Sequence, residues 1–240
     1  YLSNSSIPYL SEIAPDTSIE DAYAIQNKFV KLRLKNDRIY GFKAGLSSER
    51  SQKKYKVKEP LVGVLFLSGK HKSKTQINND KKYYIELEIG FVVKNGINRP
   101  INSISELKKN IKYVVPVVEM PNINFDDMKS VKAIDIIAAN LCSSDFITGD
   151  HKNFDEMNLN TINALLYLGD DMINTGKGTD AMGDQWEAVL WLVNKVVKNG
   201  FEIKRDNLLI TGLLGKLTPA KRGKYTAKFG ELGDIDFKVE

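Results

Sequence analysis

The sequence predicts an α+β fold built on a mixed, curled β-sheet. Three observations carry that expectation. Apolar runs of strand length outnumber stretches with helical spacing, the two kinds of element do not alternate regularly, and the tail from 208 on is short strands joined by glycine turns. The 240 residues are 42% hydrophobic, enough to bury one sizeable core, and are read as one catalytic unit over 1–240. Within it, 1–38 forms a helical N-terminal part, and 39–240 the sheet that carries the site.

Thr17-Ser18-Ile19-Glu20 reads as a capping box opening a helix whose inner face is Ala22, Ile25, Phe29 and Leu32. A strand follows at Ile39–Gly45, then a polar helix from about Ser47 and a buried strand at 61–67 (LVGVLFL). The stretch Tyr84–Val93, YIELEIGFVV, is the next strand, closed by the turn Lys94-Asn95-Gly96. A helix near 103–109 leads into the strand YVVPVVEM, where Pro116 implies an edge or a bulge. Beyond it the sequence predicts a helix over 129–141, the strand DFITG, and a hairpin turning at Gly169-Asp170-Asp171. The last helix, 185–197, has Trp186, Val189, Leu190 and Val193 on its apolar face.

The bulk chemistry narrows the functional classes. A net charge of +5 comes from scattered lysines without interleaved aromatic residues, which describes a solvated surface and no nucleic-acid platform. At most it lends a weak attraction for anionic metabolites. No apolar run reaches the ~20 residues of a membrane span, and the expected compartment is the cytoplasm. Tyr1 in place of an initiator methionine is also compatible with a removed leader. The single cysteine, Cys142, precludes an internal disulfide and a cysteine-based zinc site, and is read as a buried, inert thiol. His71 and His151 are read as solvated surface residues. Gly176-Lys177-Gly178 is read as a turn, and Trp186 and Trp191 as core or subunit contact.

Glu86 and Glu88 are the chemical anomaly. Side chains two apart on a strand share a face, so two carboxylates lie side by side in a segment otherwise fit for a core. Their repulsion forces protonation unless a cation intervenes. Solvated glutamates on an exposed strand face remain the plain alternative. Glu119, at the end of five apolar neighbours, adds a third carboxylate that is costly to bury alone. With no histidine in competition, the set suits a hard cation such as Mg²⁺, Mn²⁺ or Ca²⁺. Lys43, between Phe42 and Ala44, offers an acid/base group or an anion anchor.

Eight segments in one order, spread over more than 200 residues, complete the reading. They are SIEDAYAIQ, YGFKAGLSS, VKEPLVGVLF, IELEIGFVV, VVPVVEM, DIIAANLCSSDFITG, NTGKGTDAMGDQWEAVLWLVNKV and LLITGLLGKLTPAKRGKYTAKFGELGDIDF. Together they resemble the hydratase/decarboxylase branch of the fumarylacetoacetate hydrolase superfamily, the 2-oxopent-4-enoate hydratases and 4-oxalocrotonate decarboxylases of aromatic meta-cleavage pathways. The resemblance implies a mixed β-sheet roll of the C-terminal-domain type of that superfamily, with flanking helices and a homo-oligomeric assembly. It implies Glu86, Glu88 and Glu119 as ligands of Mg²⁺ or Mn²⁺, Lys43 as the catalytic lysine, and Ser47, Asn140 and Ser143 as substrate-binding residues. The substrate would be a small 2-oxo acid, processed by a hydratase through a metal-stabilised enolate. A 4-oxalocrotonate-type decarboxylase and a non-catalytic metabolite binder are the alternatives. The carbon–carbon hydrolases of the wider superfamily fit less well, since they often use a histidine base that the matching segments lack. Three departures stand out: Leu61 where the family commonly carries an acid after its proline, Gly183-Asp184-Gln185 where it has Gly-His-Pro, and no arginine after Glu119.

Overall fold

A computed structural model describes residues 6–240. Six α-helices occur among them: α1 (Leu10–Ile13), α2 (Ile19–Arg33), α3 (Glu49–Tyr55), α4 (Ile104–Lys109), α5 (Ala133–Ala138) and α6 (Gln185–Lys198). The strands are β1 (Ile39–Gly45), β2 (Leu61–Phe66), β3 (Lys70–Lys72), β4 (Thr75–Ile77), β5 (Tyr84–Val93), β6 (Ile111–Met120), β7 (Asp145–Thr148), β8 (Asn163–Leu168), β9 (Asp171–Lys177), β10 (Leu208–Ile210), β11 (Leu214–Pro219), β12 (Gly223–Lys228) and β13 (Asp234–Val239). The expected mixed-sheet architecture with flanking helices is present. No described helix is long and apolar enough to cross a membrane.

One sheet has eight strands in the order β2-β1-β10-β5-β6-β7-β3, and β11 also pairs with β5. The ten residues of β5 make this double duty possible. Gly90 to Val92 pair with β10, while Tyr84, Ile85 and Leu87 pair with β11. A five-stranded sheet runs β4-β13-β12-β8-β9. Pairing is antiparallel except at β1/β10, β3/β7 and β13/β4.

Period-two alternation divides β5 between two interiors. Ile85, Leu87, Ile89, Phe91 and Val93 enter the main core, which also receives Val189, Leu192, Val193 and Val196 of α6. On the opposite face of the eight-stranded sheet Val115, Val117, Phe146, Leu208 and Ile210 form a smaller apolar cluster. Glu86 and Glu88 belong to that second face.

Several local expectations change. Helix α2 is capped one residue later than predicted, by Ser18 with Asp21 as its reciprocal partner; the Thr17 hydroxyl donates instead to the Ala14 carbonyl. Its inner face is Ala22, Tyr23, Gln26 and Val30, whereas Ile25 and Leu32 are exposed. Polar bonding sets this rotation: the Val62 N–H donates to the Tyr23 hydroxyl, and Gln26 Nε2 donates to the Val62 carbonyl. Helix α6 likewise buries Ala188, Val189, Leu192, Val193 and Val196, leaving Trp186 and Leu190 only half-buried. The helix predicted over 129–141 contracts to α5 plus a short left-handed turn. Pro116 is not at an edge, because β6 lies between β5 and β7. Its carbonyl accepts from Gly149 just past the end of β7. The missing proline N–H, which would point the same way, therefore breaks no ladder.

His71 is not simply solvated. It sits on β3, with Nε2 3.0 Å from Asp145 Oδ1. Asp145 also accepts from Lys81 Nζ (3.2 Å), Ser144 Oγ (2.6 Å) and the Tyr83 hydroxyl. Burial pushes this carboxyl upward, but the bonds from His71, Ser144 and Tyr83 and the Lys81 charge outweigh it, and it lies well below the usual carboxylate range. Asp145→Ala is expected to cost about 3 kcal/mol at neutral pH, since four donors lose one acceptor. A depressed carboxylate contributes above its unfolded value of 3.8 and loses that contribution as pH falls. Urea unfolding should thus separate variant from native fully at pH 7 and by progressively less as the pH is lowered below 3.8. His151 is exposed, yet its ring stacks on Tyr113 at 4.5 Å.

Candidate metal centre

The three acidic residues come together through strand register. Glu86 of β5 stands directly opposite Glu119 of β6, and Glu88 opposite Val117. One carboxylate oxygen from each of Glu86, Glu88 and Glu119 lies within 4.8 Å of the others. Glu88 and Glu119 are 0% exposed, while Glu86 keeps 17% of its side chain open to solvent. The cluster therefore has a closed floor and one wet corner.

Lys43 reaches the same place from β1. It pairs with Ile210 of β10, which in turn pairs with Gly90 of β5, so lysine and glutamates share one face. Its ammonium donates to both oxygens of Glu119 and lies 4.0 Å from Glu86. Burial works against the charge on Lys43. The carboxylates of Glu119, Glu86 and Glu88 prevail and hold its proton more tightly than in water. Burial raises Glu119 to about 8, with Lys43 opposing the shift and Glu86 adding to it. Glu88 is likewise raised well above the ordinary range by burial and by the other two glutamates.

Glycines make the room. Gly63 of β2 faces Lys43, and a methyl group there would stand 2.9 Å from the lysine Cγ. Gly45 and Gly63 also admit Leu141, whose side chain packs over both. Leu141 belongs to three successive residues with positive φ: Asn140 (51°), Leu141 (52°) and Cys142 (55°). Each L-residue in that region costs about 1–2 kcal/mol, so the turn must be held from outside. Asn140 does this with its amide: Oδ1 accepts from Val64 N–H at 2.8 Å, and Nδ2 donates to the Val64 carbonyl at 2.9 Å. The amide expected to touch substrate thus also bonds β2, and this contact positions the turn. Ser143 follows the turn with 9% exposure. Cys142 is buried, and burial pushes its thiol up to about 12, which suits the inert role expected.

Ser47, 5% exposed, borders the cluster from the other side. A Cβ at Gly212 would come 2.2 Å from its hydroxyl oxygen. Gly212 itself, at φ +113°, donates its N–H to Glu88 Oε2 at 2.6 Å. Sequence reasoning missed this donor. A threonine–glycine pair ending a short apolar strand was its only signal.

A divalent ion fits the donor set. All three side chains offer oxygen, the preference of Mg²⁺ and Ca²⁺. Glu88 Oε1 is buried without a hydrogen-bond partner, a cost no fold retains cheaply. Fully ionised, three carboxylates against one ammonium would leave two negative charges uncompensated, so without an ion burial drives Glu88 and Glu119 toward protonation.

Comparison with known proteins places this geometry. No family model matches the chain. The solved structure of 4-oxalocrotonate decarboxylase from Pseudomonas putida G7, complexed with magnesium and adipate, superposes with a TM-score of 0.92, at 23% identity over 98% of this chain and 91% of that one. A protein assigned to the fumarylacetoacetate hydrolase family from Yersinia pestis CO92 shares the fold at a TM-score of 0.61, with 7% identity over 85% of this chain and 94% of the other. The fold is thus shared with solved structures that include a fumarylacetoacetate hydrolase family protein. In sequence, the chain is similar to curated hydratases and a decarboxylase. It is 27% identical over 231 residues to 2-oxo-hept-4-ene-1,7-dioate hydratase of Escherichia coli, covering 92% of this chain and 86% of that protein. It is 28% identical over 225 residues to 2-keto-4-pentenoate hydratase of Paraburkholderia xenovorans, covering 92% and 83%.

Proposed function

We propose that the protein is a divalent-metal-dependent lyase of the hydratase type acting on a small 2-oxo, or 2-hydroxydienoic, acid, with residues 1–240 as one catalytic unit. The observation that carries this reading is the buried triad of Glu86, Glu88 and Glu119 with the Lys43 ammonium against it. The full-length similarity to named hydratases supports it. Glu86, Glu88 and Glu119 would hold Mg²⁺ or Mn²⁺, which when bound supplies Lewis-acid stabilisation for negative charge on a chelating 2-oxo acid.

The protein's own groups do the rest. Lys43 carries a proton at Nζ beside Glu119, delivers it to substrate carbon as the dienol tautomerises, and is recharged by the proton that the enol hydroxyl releases. Glu86, the partly open carboxylate, faces the side from which substrate and water arrive. Ser47 and Ser143 bind the substrate's polar ends, and Asn140 holds the turn that closes over Lys43. The working form is a cytoplasmic homo-oligomer, which would give the exposed Ile13 and Leu32 of the helical layer a place to bury.

One observation favours decarboxylation as a second reading. Leu61 of β2, 2% exposed, lies two residues from Gly63, the position that faces Lys43, so no acid stands there to assist addition of water. Losing carbon dioxide from a 4-oxalocrotonate-type substrate needs no such acid. Both readings are tested by following the ultraviolet absorbance of 2-hydroxypenta-2,4-dienoate and of 4-oxalocrotonate with Mg²⁺ present. Consumption of the dienoate, stopped by EDTA and restored by Mg²⁺, is the expected result. Turnover indifferent to EDTA sinks the metal mechanism, and binding of both acids without turnover identifies a non-catalytic descendant.

A further inference from the structure

Glu88 is held by a turn that is itself held from α6. Strand β10 ends at Ile210, and the next two residues clamp onto β5: Thr211 N–H donates to the Ile89 carbonyl at 3.3 Å, and Gly212 N–H to Glu88 Oε2 at 2.6 Å. The Thr211 hydroxyl lies 2.7 Å from Gln185 Oε1 and 3.2 Å from the Ile89 carbonyl. With one proton to give, it donates to the nearer acceptor. Gln185 Nε2 donates in turn to the Gly178 carbonyl at 2.6 Å, beyond the end of β9. Gln185 and Thr211 are both 0% exposed.

We propose that Gln185 and Thr211 are positioning residues for the metal centre, fixing the turn whose Gly212 N–H orients the Glu88 carboxylate. The inference rests on the reading of Glu86, Glu88 and Glu119 as metal ligands. A buried amide and a buried hydroxyl cost free energy that an apolar pair of the same volume would not. Here they bond only to one another and to main chain, on the far side of Gly212 from the carboxylates. The result is directional. Oε2 of Glu88 is tied to Gly212, and Oε1 remains without a protein partner. Groups that orient a metal ligand without touching the ion typically change affinity by about 10–100-fold when removed.

The test is Mn²⁺ affinity of the metal-stripped full chain, read from the free-Mn²⁺ paramagnetic resonance signal for native protein, Thr211→Val, Thr211→Ser, Gln185→Leu and Glu88→Gln. Thr211→Val and Gln185→Leu should each weaken binding about tenfold or more, while Thr211→Ser, which keeps the hydroxyl, stays near native. A Thr211→Val protein that melts earlier yet binds Mn²⁺ with the native constant overturns the inference while leaving the metal site standing. If Thr211→Val does not fold, Gln185→Leu decides by the same criterion. Native Mn²⁺ binding by Glu88→Gln would overturn the metal-site reading and this inference with it.

Discussion

Glu119→Gln is expected to abolish divalent-ion binding, and catalysis with it. The side chain is wholly buried on the central strand β6, opposite Glu86, and glutamine keeps its volume while removing its charge. The loss should exceed the roughly 10–100-fold that removing a supporting hydrogen bond costs a metal site, and calorimetric titration with Mn²⁺ measures it directly. Native affinity in this variant would refute the triad. The pH dependence follows from the same burial. In the ion-free protein Glu119 titrates at about 8, so below that pH an incoming cation must displace a proton. Apparent affinity should therefore fall as pH drops from 8, by up to about tenfold per unit for one released proton, and proton release on binding should be detectable in weakly buffered solution.

Lys43→Met separates chemistry from binding. Removing a positioned acid/base group costs about 10²–10⁴ in turnover. Cation affinity should persist or tighten, because the ammonium that occupies both Glu119 oxygens competes for the ligand the ion needs. Measuring kcat and Mn²⁺ affinity on one preparation distinguishes the roles. If both collapse together, Lys43 merely holds buried Glu119 in place. If turnover survives, proton transfer belongs to another group.

Much of this centre is legible in the chain because its signals are local. The alternation of YIELEIGFVV puts Glu86 and Glu88 on one face whatever surrounds the strand, and an acid ending VVPVVEM is expensive wherever it goes. The segments that carry the family resemblance are also contiguous. The errors fell where a residue's partner is remote in sequence. His71 looks like one basic residue in a lysine-rich loop until Asp145, seventy-four positions later, lies beside it. The α2 face was misjudged because Tyr23 and Gln26 bond to Val62, an attraction no hydrophobic spacing reports. The bonds of the Asn140 amide to Val64, seventy-six positions away, have no local signal either.

By itself, then, the sequence determined the longer strands, that Glu86 and Glu88 share one face, and which residue types could hold an ion. Folding alone decided that Glu86 opposes Glu119, that β10 enters between β1 and β5 and so aligns Lys43 with the carboxylates, and that Gly212 reaches Glu88. The physical reason is range. Side-chain alternation is a property of consecutive backbone dihedrals, whereas strand order and register come from burying two faces of one sheet simultaneously, a condition satisfied only by the whole chain.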